Sequence, residues 1–441
     1  MIQDIEKFFL ERGILVEERV IKEIEKRGGL VYLDKIQGKL NFQSPVFTFK
    51  DLPADNEFSI VKEFHLNGFP GISGSFVDIF QNRFNVLSKK IKSRSLSHHF
   101  VSIRKAKISG DNVDTIGLVV DSSVSKKGYK IIEIEDQEDS IKVILGQKFN
   151  DLVFHDEVIG VSGRISKDRT AIFAESIVRP ELEKRKEIYE NGQDVLVISD
   201  IHVGSKNFMN DNFLNLIDYV NNSNVSYIIM NGDLVDGIGV YPDQEKDLEI
   251  PDIIKQYKRL AELISKINGN IKVILIPGNH DMVYPTEPQN PLPREINELF
   301  PPNVISLSNP VWVEIGRRIF LLYHGTSIMD FVESMPGTSL NDSDKVMKEM
   351  LRRGHLAPIY GKNLSFIPLK EDYYVIDPVP DVFITGHIHD HSITSYRGIL
   401  AVNASTFQEQ TDYQKMMNFN PKPGIGTLIN TSDLSYRLVK F

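Results

Sequence analysis

Cysteine is absent from this chain of 441 residues, which excludes disulfides and every thiolate metal site. Any metal ion must therefore be held by His, Asp, Glu or Asn side chains, which offer nitrogen and oxygen donors. The chain also lacks a run of about 18 or more apolar residues, so we expect no membrane span. The segment Met1 to Glu11 is charged and has no apolar signal core, which predicts a cytoplasmic location.

An excess of positive charge is missing as well. The 51 Lys and Arg residues are outnumbered by 60 Asp and Glu residues, which gives a formal net charge of -9. Proteins that bind nucleic acid unaided are usually basic, so this balance argues against autonomous DNA binding and leaves room for a basic partner. Residues 80–110 depart from the balance, because they contain eight Lys or Arg residues and no carboxylate. This basic strip is either a solvated linker or a surface that faces phosphate or a partner.

The length exceeds what one hydrophobic core organises, and the pattern predicts several domains of a multidomain α+β protein. In residues 1–43, Val16, Val20 and Ile24 recur at helical spacing and predict a small N-terminal helical module. Residues 44–98 read as a linker with a helix, in which residues 44–74 have little regular structure and residues 76–91 return to helical spacing.

Residues 99–180 change to short strand-like runs separated by turn residues. Five such runs in about 80 residues predict a small OB-like β-barrel, with a small β-sandwich as the alternative. The charged residues 180–191 that follow predict a connecting helix. Residues 181–441 then alternate buried-strand runs with amphipathic helices, which is typical of an α/β domain.

Polar side chains follow five of the apolar runs in this last region. The residues that follow the runs are Asp200 and His202, Asp233 and Asp236, Asn279, His280 and Asp281, His324, and His387 and His389. The carboxyl ends of strands in α/β folds converge at one edge, where binding sites form. The pattern therefore predicts that these side chains meet around metal ions.

The spacing within the motifs also favours metal binding. If Asp200 and His202 are extended, residues two apart point the same way and one short segment offers two ligands. Asp233 can bridge two cations, and the neutral carbonyl of Asn279 limits the charge of the ligand set. Two cations about 3.5–4 Å apart can polarise a phosphoryl group, lower the pKa of a bridging water and stabilise the leaving oxygen. Phosphodiester hydrolysis is the reaction that needs all three effects.

The remaining polar residues are expected to have other roles. His280 follows the ligand Asn279 and can face substrate, as a transition-state stabiliser or a proton donor to the leaving oxygen. Asp281 either orients His280 or lies on the surface, and Asp236 is expected to support the ligands. His355 and His391 are interpreted as bystanders.

These motifs resemble those of the calcineurin-like metallophosphoesterase superfamily, in family order and over the region from about residue 194 onward. The resemblance implies an α/β phosphoesterase β-sandwich flanked by helices and two divalent metal ions, with manganese as the implied metal. It implies one site made of Asp200, His202, Asp233 and His389, a second made of Asp233, Asn279, His324 and His387, and His280 as the catalytic, non-ligand histidine.

The domain order narrows the resemblance to the B subunits of replicative DNA polymerases. The segments 199–205, 231–237, 276–281, 287–289 and 386–390 are similar to those of the small subunits of archaeal D-family polymerases. This family implies a 3′-5′ exonuclease that proofreads DNA 3′ ends for a separate large catalytic subunit, with the sliding clamp as a further contact through the holoenzyme. The barrel would then be a contact surface for the large subunit or an independent single-strand binder, because OB-folds can have either role. We expect the contact surface.

Two alternatives to the exonuclease stay open at this point. Eukaryotic B subunits have lost several metal ligands, so a non-catalytic scaffold is one alternative, although this chain keeps every ligand. The other is a metallophosphatase that uses the same residues on a different phosphoester, although the long N-terminal half argues against it.

Overall fold

A computed structural model describes residues 2–26, 29–37, 40, 45–48, 51–52, 58–66, 75–95, 98–146, 149, 151–189, 192–416 and 419–441. The helices in these residues are α1 Ile2–Leu10, α2 Glu18–Lys26, α3 Leu30–Ile36, α4 Phe76–Arg94, α5 Ile103–Ile108, α6 Asn210–Asn221, α7 Ile253–Ile264, α8 Arg294–Asn297, α9 Ile328–Ser334, α10 Ser343–Arg353 and α11 Asp412–Met416. None of these helices is at once long enough and apolar enough to cross a membrane.

The strands in the same ranges form four sheets. They are β1 Leu15–Val16, β2 Val46–Phe47, β3 Ser59–Glu63, β4 Phe100–Val101, β5 Asn112–Val124, β6 Lys130–Glu135, β7 Ser140–Leu145, β8 Val158–Ile165, β9 Ala171–Val178, β10 Asp194–Ile198, β11 Val225–Asn231, β12 Lys272–Ile276, β13 Val304–Ser306, β14 Val311–Ile315, β15 Arg318–Leu322, β16 Val382–Thr385, β17 Ser392–Tyr396, β18 Ile399–Asn403, β19 Ile425–Asn430 and β20 Tyr436–Lys440.

Helices α1 to α3 form a small unit with a core of its own. Phe9 of α1, Val20 and Ile24 of α2, and Leu33 of α3 are fully buried against one another. The predicted helical unit is therefore confirmed. Val16 is not helical, because it pairs with β2 as part of the short parallel strand β1.

Strands β5 to β9 close into the predicted five-stranded barrel. β5 pairs with β6 over its second half and with β8 over its first half, so the sheet returns on itself. The alternating residues that point inward, among them Ile132, Ile134, Val143 and Val161, form one core. The alternative of a small β-sandwich is wrong, because the described strands make a single closed sheet.

Two six-stranded sheets pack face to face in the C-terminal region. Their strand orders are β13-β12-β11-β10-β19-β20 and β17-β18-β16-β15-β14-β3. Inward-facing residues of both sheets, such as Val197, Ile229, Phe320 and Ile384, share one core. Helices α6 and α7 cover the outer face of the first sheet, and α9 and α10 cover that of the second. The predicted β-sandwich flanked by helices is confirmed.

The prediction of little regular structure over residues 44–74 is wrong at β3. Residues 59–63 form the edge strand of the second sheet, antiparallel to β14. Ile60 and Val61 are both largely exposed on this edge, so the strand has no apolar alternation that a sequence pattern could reveal. Much of the rest of this segment lies outside the described residues.

The connecting helix predicted over residues 180–191 is also absent from its described part, residues 180–189. The extended chain donates backbone hydrogen bonds to other elements instead. The amide of Glu181 bonds to the carbonyl of Arg352 at 2.8 Å, and that of Lys184 bonds to Arg397 at 3.0 Å. Tertiary hydrogen bonds thus override the helical propensity of a charged segment.

The basic strip of residues 80–110 lies mainly on α4 and α5 and is not a plain linker. Arg83 is fully buried, and its guanidinium bonds to Asp372 at 2.8 Å and to the carbonyls of Asp156 and Pro358. Lys90 and Lys107 also form ion pairs with carboxylates from outside the strip. Arg83 therefore joins α4 to the barrel and to the C-terminal sandwich.

Removing Arg83 is expected to destabilise the fold strongly. Arg83→Ala leaves the buried Asp372 carboxylate without its guanidinium partner, and such losses cost about 3–5 kcal/mol. Arg164→Ala is the matched control, because Arg164 pairs with Glu175 on the surface and such pairs contribute less than about 1 kcal/mol. Denaturant unfolding of both variants measures the difference. Equal losses in the two variants would contradict a stabilising role for the buried pair.

Candidate metal centre

The five polar motifs meet because the strands before them run parallel within each sheet. β10, β11 and β12 are parallel neighbours in the first sheet, and β15 and β16 are parallel neighbours in the second. Beyond the strand ends, the loops continue to pair, since the amides of Ile201 and His202 donate to the carbonyl of Asp233. The carboxyl ends of both sheets thus deliver their side chains to one place.

Three overlapping groups of donor atoms lie within 4.8 Å of one another. They are Asp200, His202 and His389; His202, Asp233 and His280; and Asp233, His324 and His387. Asp233 belongs to two of these groups, with Oδ2 at 3.3 Å from Nε2 of His324. Asn279 joins the last group, because its Oδ1 lies 3.1 Å from the same nitrogen of His324. The structure therefore brings together all seven predicted ligands and His280.

The donor atoms fit divalent cations. Nδ1 of His202 donates to Asp236, so Nε2 is the nitrogen that can bind a cation, and this atom lies only 3.0 Å from Nε2 of His389. Nδ1 of His387 is buried and has no hydrogen-bond partner. Nitrogen lone pairs and carboxylate oxygens that converge in a buried space are what a cation of intermediate hardness requires.

The protein alone holds protons where cations would bind. Burial disfavours charge on His202, but its hydrogen bond to Asp236 and the charge of Asp233 outweigh this and raise its pKa to about 9. The charge of Asp233 likewise overcomes burial at His324 and raises its pKa to about 10. Burial raises the pKa of Asp200 to about 6, against the charge of His324. Cations at these residues would displace protons, so their affinity is expected to rise with pH.

Five of the seven predicted ligands have left-handed backbone conformations. The φ angles are 50° at Asp200, 54° at His202, 48° at Asp233, 72° at His387 and 52° at His389. The extended conformation considered for Asp200 and His202 is therefore wrong. A left-handed non-glycine residue costs roughly 1–3 kcal/mol, and such strain clusters at functional sites.

Glycines stand where the site leaves no room for a side chain. A Cβ added to Gly278 would lie 2.2 Å from Oδ1 of Asp233, and one added to Gly386 would lie 2.6 Å from Oδ2 of Asp200. These two glycines thus allow the backbone to approach the carboxylates closely, which is one use of glycine, and the other is a turn at positive φ. Gly232 combines both effects, with a φ of 95° and a Cβ position 2.3 Å from Nδ1 of His324.

Asp236 supports two histidines at once. Its side chain accepts a hydrogen bond from Nδ1 of His202 at 3.0 Å, and its carbonyl accepts one from Nδ1 of His280 at 2.7 Å. Gln244 and Gln408 donate to the same carboxylate and hold it in place. Asp236 therefore fixes the ring orientation of a predicted ligand and of the predicted catalytic residue.

Asp281 has neither of the two roles considered from the sequence. It is buried, and its Oδ2 accepts hydrogen bonds from the amides of Leu234 and Gly278, while Oδ1 accepts one from Tyr257. It thus braces the loops after β11 and β12, whereas Asp236 orients His280. The two bystander histidines lie elsewhere: His355 bonds to Asp372 and His391 faces Thr427.

Other supporting residues had no signal in the sequence. The carbonyl of Asn231 accepts a hydrogen bond from Nδ1 of His324 at 3.1 Å, and Oδ1 of Asn309 accepts one from the His324 amide at 2.9 Å. Gln414 of α11 lies 2.9 Å from Nδ1 of His389. These asparagine and glutamine residues are distant in sequence from the histidines that they orient, so no short motif contains both residues of a pair.

A cavity of about 340 Å³ opens over the centre. Its lining combines polar residues of the site with apolar residues of the surrounding loops. The lining residues are His202, Asp236, Val240, Tyr241, His280, Met329, Leu340, His387, Ile388, His389, Gln408, Thr411, Gln414 and Phe419. The cavity therefore gives a small ligand access to the donor atoms from one side.

Removing the Asp236 carboxylate is expected to weaken cation binding. Asp236→Ala releases the ring of His202, and the loss of such a supporting hydrogen bond typically costs about 10- to 100-fold in metal affinity. Titration calorimetry with Mn²⁺ measures this change. His391→Ala is the matched control, because His391 follows His389 by two residues but faces Thr427. An affinity in Asp236→Ala equal to that of the control would contradict the supporting role.

The C-terminal region is similar to a known protein family and to solved structures. The family profile for the B subunits of DNA polymerases alpha and epsilon matches residues 195–394. Among solved structures, a predicted phosphoesterase from Streptococcus pneumoniae aligns with a TM-score of 0.28 and 14% identity, over 56% of this chain and 90% of that chain. The fold is defined by the strand order within the two facing sheets and not by this alignment.

Curated relatives are similar over most of the chain. The DNA polymerase II small subunit of Thermoplasma acidophilum is 44% identical over 367 residues, which cover 80% of this chain and 75% of that protein. The same subunit of Methanocaldococcus jannaschii is 39% identical over 386 residues, which cover 82% of this chain and 64% of that protein. On this evidence, the chain belongs to the family of DNA polymerase II small subunits.

Proposed function

We propose that this chain is a metal-dependent 3′-5′ exonuclease that proofreads for the large catalytic subunit of a replicative DNA polymerase. One observation carries the proposal: seven nitrogen and oxygen donors and one further histidine converge at strand ends of two sheets, beside a cavity that four of these eight residues line. The strained backbone at five of these residues supports a working centre, because a scaffold without catalysis has no use for this strain.

The proposed ligand sets follow the groups of donor atoms. Asp200, His202, Asp233 and His389 would hold one divalent cation, and Asp233, Asn279, His324 and His387 would hold the other. Imidazole, carboxylate and amide donors without sulfur suit a divalent cation of intermediate hardness. We propose manganese, which is the metal that the resemblance to metallophosphoesterases implies. When bound, the two cations would polarise the phosphodiester, activate a water molecule and stabilise the leaving oxygen.

His280 is proposed to act on the leaving group. Its Nδ1 donates to the carbonyl of Asp236, so Nε2 is the atom that faces the cavity. Burial lowers the pKa of His280, which favours release of a proton once the ring is charged. A protonated Nε2 would donate this proton to the oxygen that departs from phosphorus.

The depth of the site supplies a preference for mispaired ends. Asp200, Asp233 and His324 are at most 1% exposed, so a terminal nucleotide must leave the duplex to reach them. Unpairing costs least at a mismatched end. The site would therefore favour errors without reading the identity of the base.

The large subunit is proposed to supply most of the duplex-binding surface, because this chain has a net charge of -9. The barrel is proposed as part of the contact with that subunit. The sliding clamp would be reached through the complete polymerase.

Two single substitutions test the centre. Asp233→Ala removes the carboxylate shared by both ligand sets, so nuclease activity is expected to fall to the level measured in EDTA. His280→Ala is expected to lower kcat about 10²- to 10⁴-fold, because it removes the proposed proton donor. Shortening of a 5′-labelled single strand in Mn²⁺ measures both effects, with His391→Ala as the control.

The same assay separates the exonuclease from the alternatives. Unchanged activity in Asp233→Ala and His280→Ala would sink the assignment of the centre. Absence of activity in the intact protein, alone and with the large subunit, would favour a scaffold. Hydrolysis of p-nitrophenyl phosphate without any shortening of the oligonucleotide would favour a phosphatase.

A second prediction concerns the primer end. Primers with a mispaired 3′ terminus are expected to be shortened several times faster than matched primers, because the mispaired nucleotide frays more readily. Single-turnover assays on duplexes that differ only at the terminal pair measure the ratio. Equal rates on both duplexes, together with a fast rate on single strands, would contradict selection by fraying.

A further inference from the structure

We propose that the ring of Tyr241 receives the unpaired 3′-terminal base and holds it by stacking. This inference rests on the proposed exonuclease function and names a substrate-positioning residue for it. Tyr241 lines the same cavity as His280, and the centroids of the two rings are 6.4 Å apart.

The lining of the cavity combines two kinds of side chain. The histidines are His202, His280, His387 and His389, which suit a phosphoryl group and its cations. The apolar and aromatic residues include Val240, Tyr241, Met329, Leu340 and Phe419. A phosphate alone makes no favourable contact with the apolar residues. An occupant with an ionic group and a flat, weakly polar body matches both kinds of side chain, and a nucleotide has this chemistry.

The size of the cavity limits the occupant to one nucleotide. Its volume of about 340 Å³ lies at the lower end of the range for small-ligand pockets. A base pair does not fit this volume together with its backbone. The cavity therefore selects a single unpaired terminal residue, in agreement with the burial of the metal-site side chains.

Hydrogen bonds with two glutamines hold the loop that carries Tyr241 in place. Gln256 accepts a hydrogen bond from the Gly237 amide and donates to the Gly237 carbonyl. Gln244 accepts a hydrogen bond from the Val240 amide and donates to Asp236. Both glutamines are buried, so the loop and the centre are joined through Asp236. The ring position is thus set before any substrate arrives, which lowers the entropic cost of binding.

The hydroxyl group of Tyr241 already has a hydrogen-bond partner within the protein. It bonds to Oδ2 of Asp247 at 3.1 Å, which fixes the ring at its distal end. Stacking needs only the ring face and accepts every base, because each base has a π-face. The ring of Tyr241 therefore positions any terminal nucleotide and does not favour one base.

The experiment compares oligonucleotides with a normal or an abasic 3′-terminal nucleotide, using the full-length protein in Mn²⁺. Stacking of one base corresponds to about 5- to 150-fold in binding, so wild-type kcat/KM is expected to be higher for the normal terminus by a factor in this range. In Tyr241→Ala this factor is expected to fall to about 1–2. Tyr241→Phe keeps the ring and is expected to keep the wild-type factor.

A matched control and a second readout complete the test. Tyr284→Ala removes a tyrosine ring that is 46% exposed and does not line the cavity, so its ratio of kcat/KM values is expected to match that of the wild type. Fluorescence anisotropy in EDTA measures binding of the same oligonucleotides without turnover. Thermal unfolding checks that Tyr241→Ala retains its fold.

The outcomes separate the two proposals. Two results would overturn the stacking role while the exonuclease stands. One is a ratio of kcat/KM values for the two termini that is the same in Tyr241→Ala as in the wild-type protein. The other is equal kcat/KM values for both termini in the wild-type protein. If the wild-type protein shortens no oligonucleotide, the proposed function fails, and the anisotropy ratio alone decides on Tyr241. Equal affinity of wild-type protein for both termini would then exclude the stack.

Discussion

The carboxylate of Asp233 connects the two halves of the candidate centre. Its Oδ2 lies 3.3 Å from Nε2 of His324 and 3.8 Å from Nε2 of His202, and its Oδ1 accepts the amide of His280. The burial of a carboxylate is costly unless positive charge or hydrogen bonds surround it. Burial alone would raise the pKa of Asp233, but the neighbouring histidines hold it well below the usual range. Cations at this position would take over the same stabilising role and would strengthen the fold.

The surroundings of Asp233 explain why a strained backbone persists there. The amides of Ile201 and His202 bond to its carbonyl, and the amide of Asp200 bonds to Gly232. The amide of His387 bonds to the carboxylate of Asp200, which links the loops of the two sheets. These bonds are buried between the sheets, where an unmade hydrogen bond is expensive. The two facing sheets thus act as a rigid frame that holds the loops in unfavourable conformations.

Sequence patterns predicted the elements in which local spacing and burial agree. The five barrel strands alternate inward and outward residues, and the five motifs directly follow buried strands, so both were visible in the sequence. The left-handed conformations of Asp200 and His202 were not predictable, because hydrogen bonds to loops that are distant in sequence stabilise them. The roles of Asp281 and Gln414 depend on partners in distant loops or elements. The helix prediction for residues 180–191 was wrong for a similar reason, since backbone hydrogen bonds of residues 180–189 go to α10 and to the turn after β17.

The order of the strands has a consequence for how the chain can be divided. β3 precedes the barrel in the chain, yet it completes the sheet that contains β14, β15 and β16. The barrel is therefore an insertion between two strands of one sheet, and the boundary at residue 181 does not separate independent pieces. A fragment that starts there would leave β14 as an open edge, with backbone groups ready to pair with another molecule. Excised versions of the C-terminal region would need residues 58–66 restored, by circular permutation or by a complementing peptide.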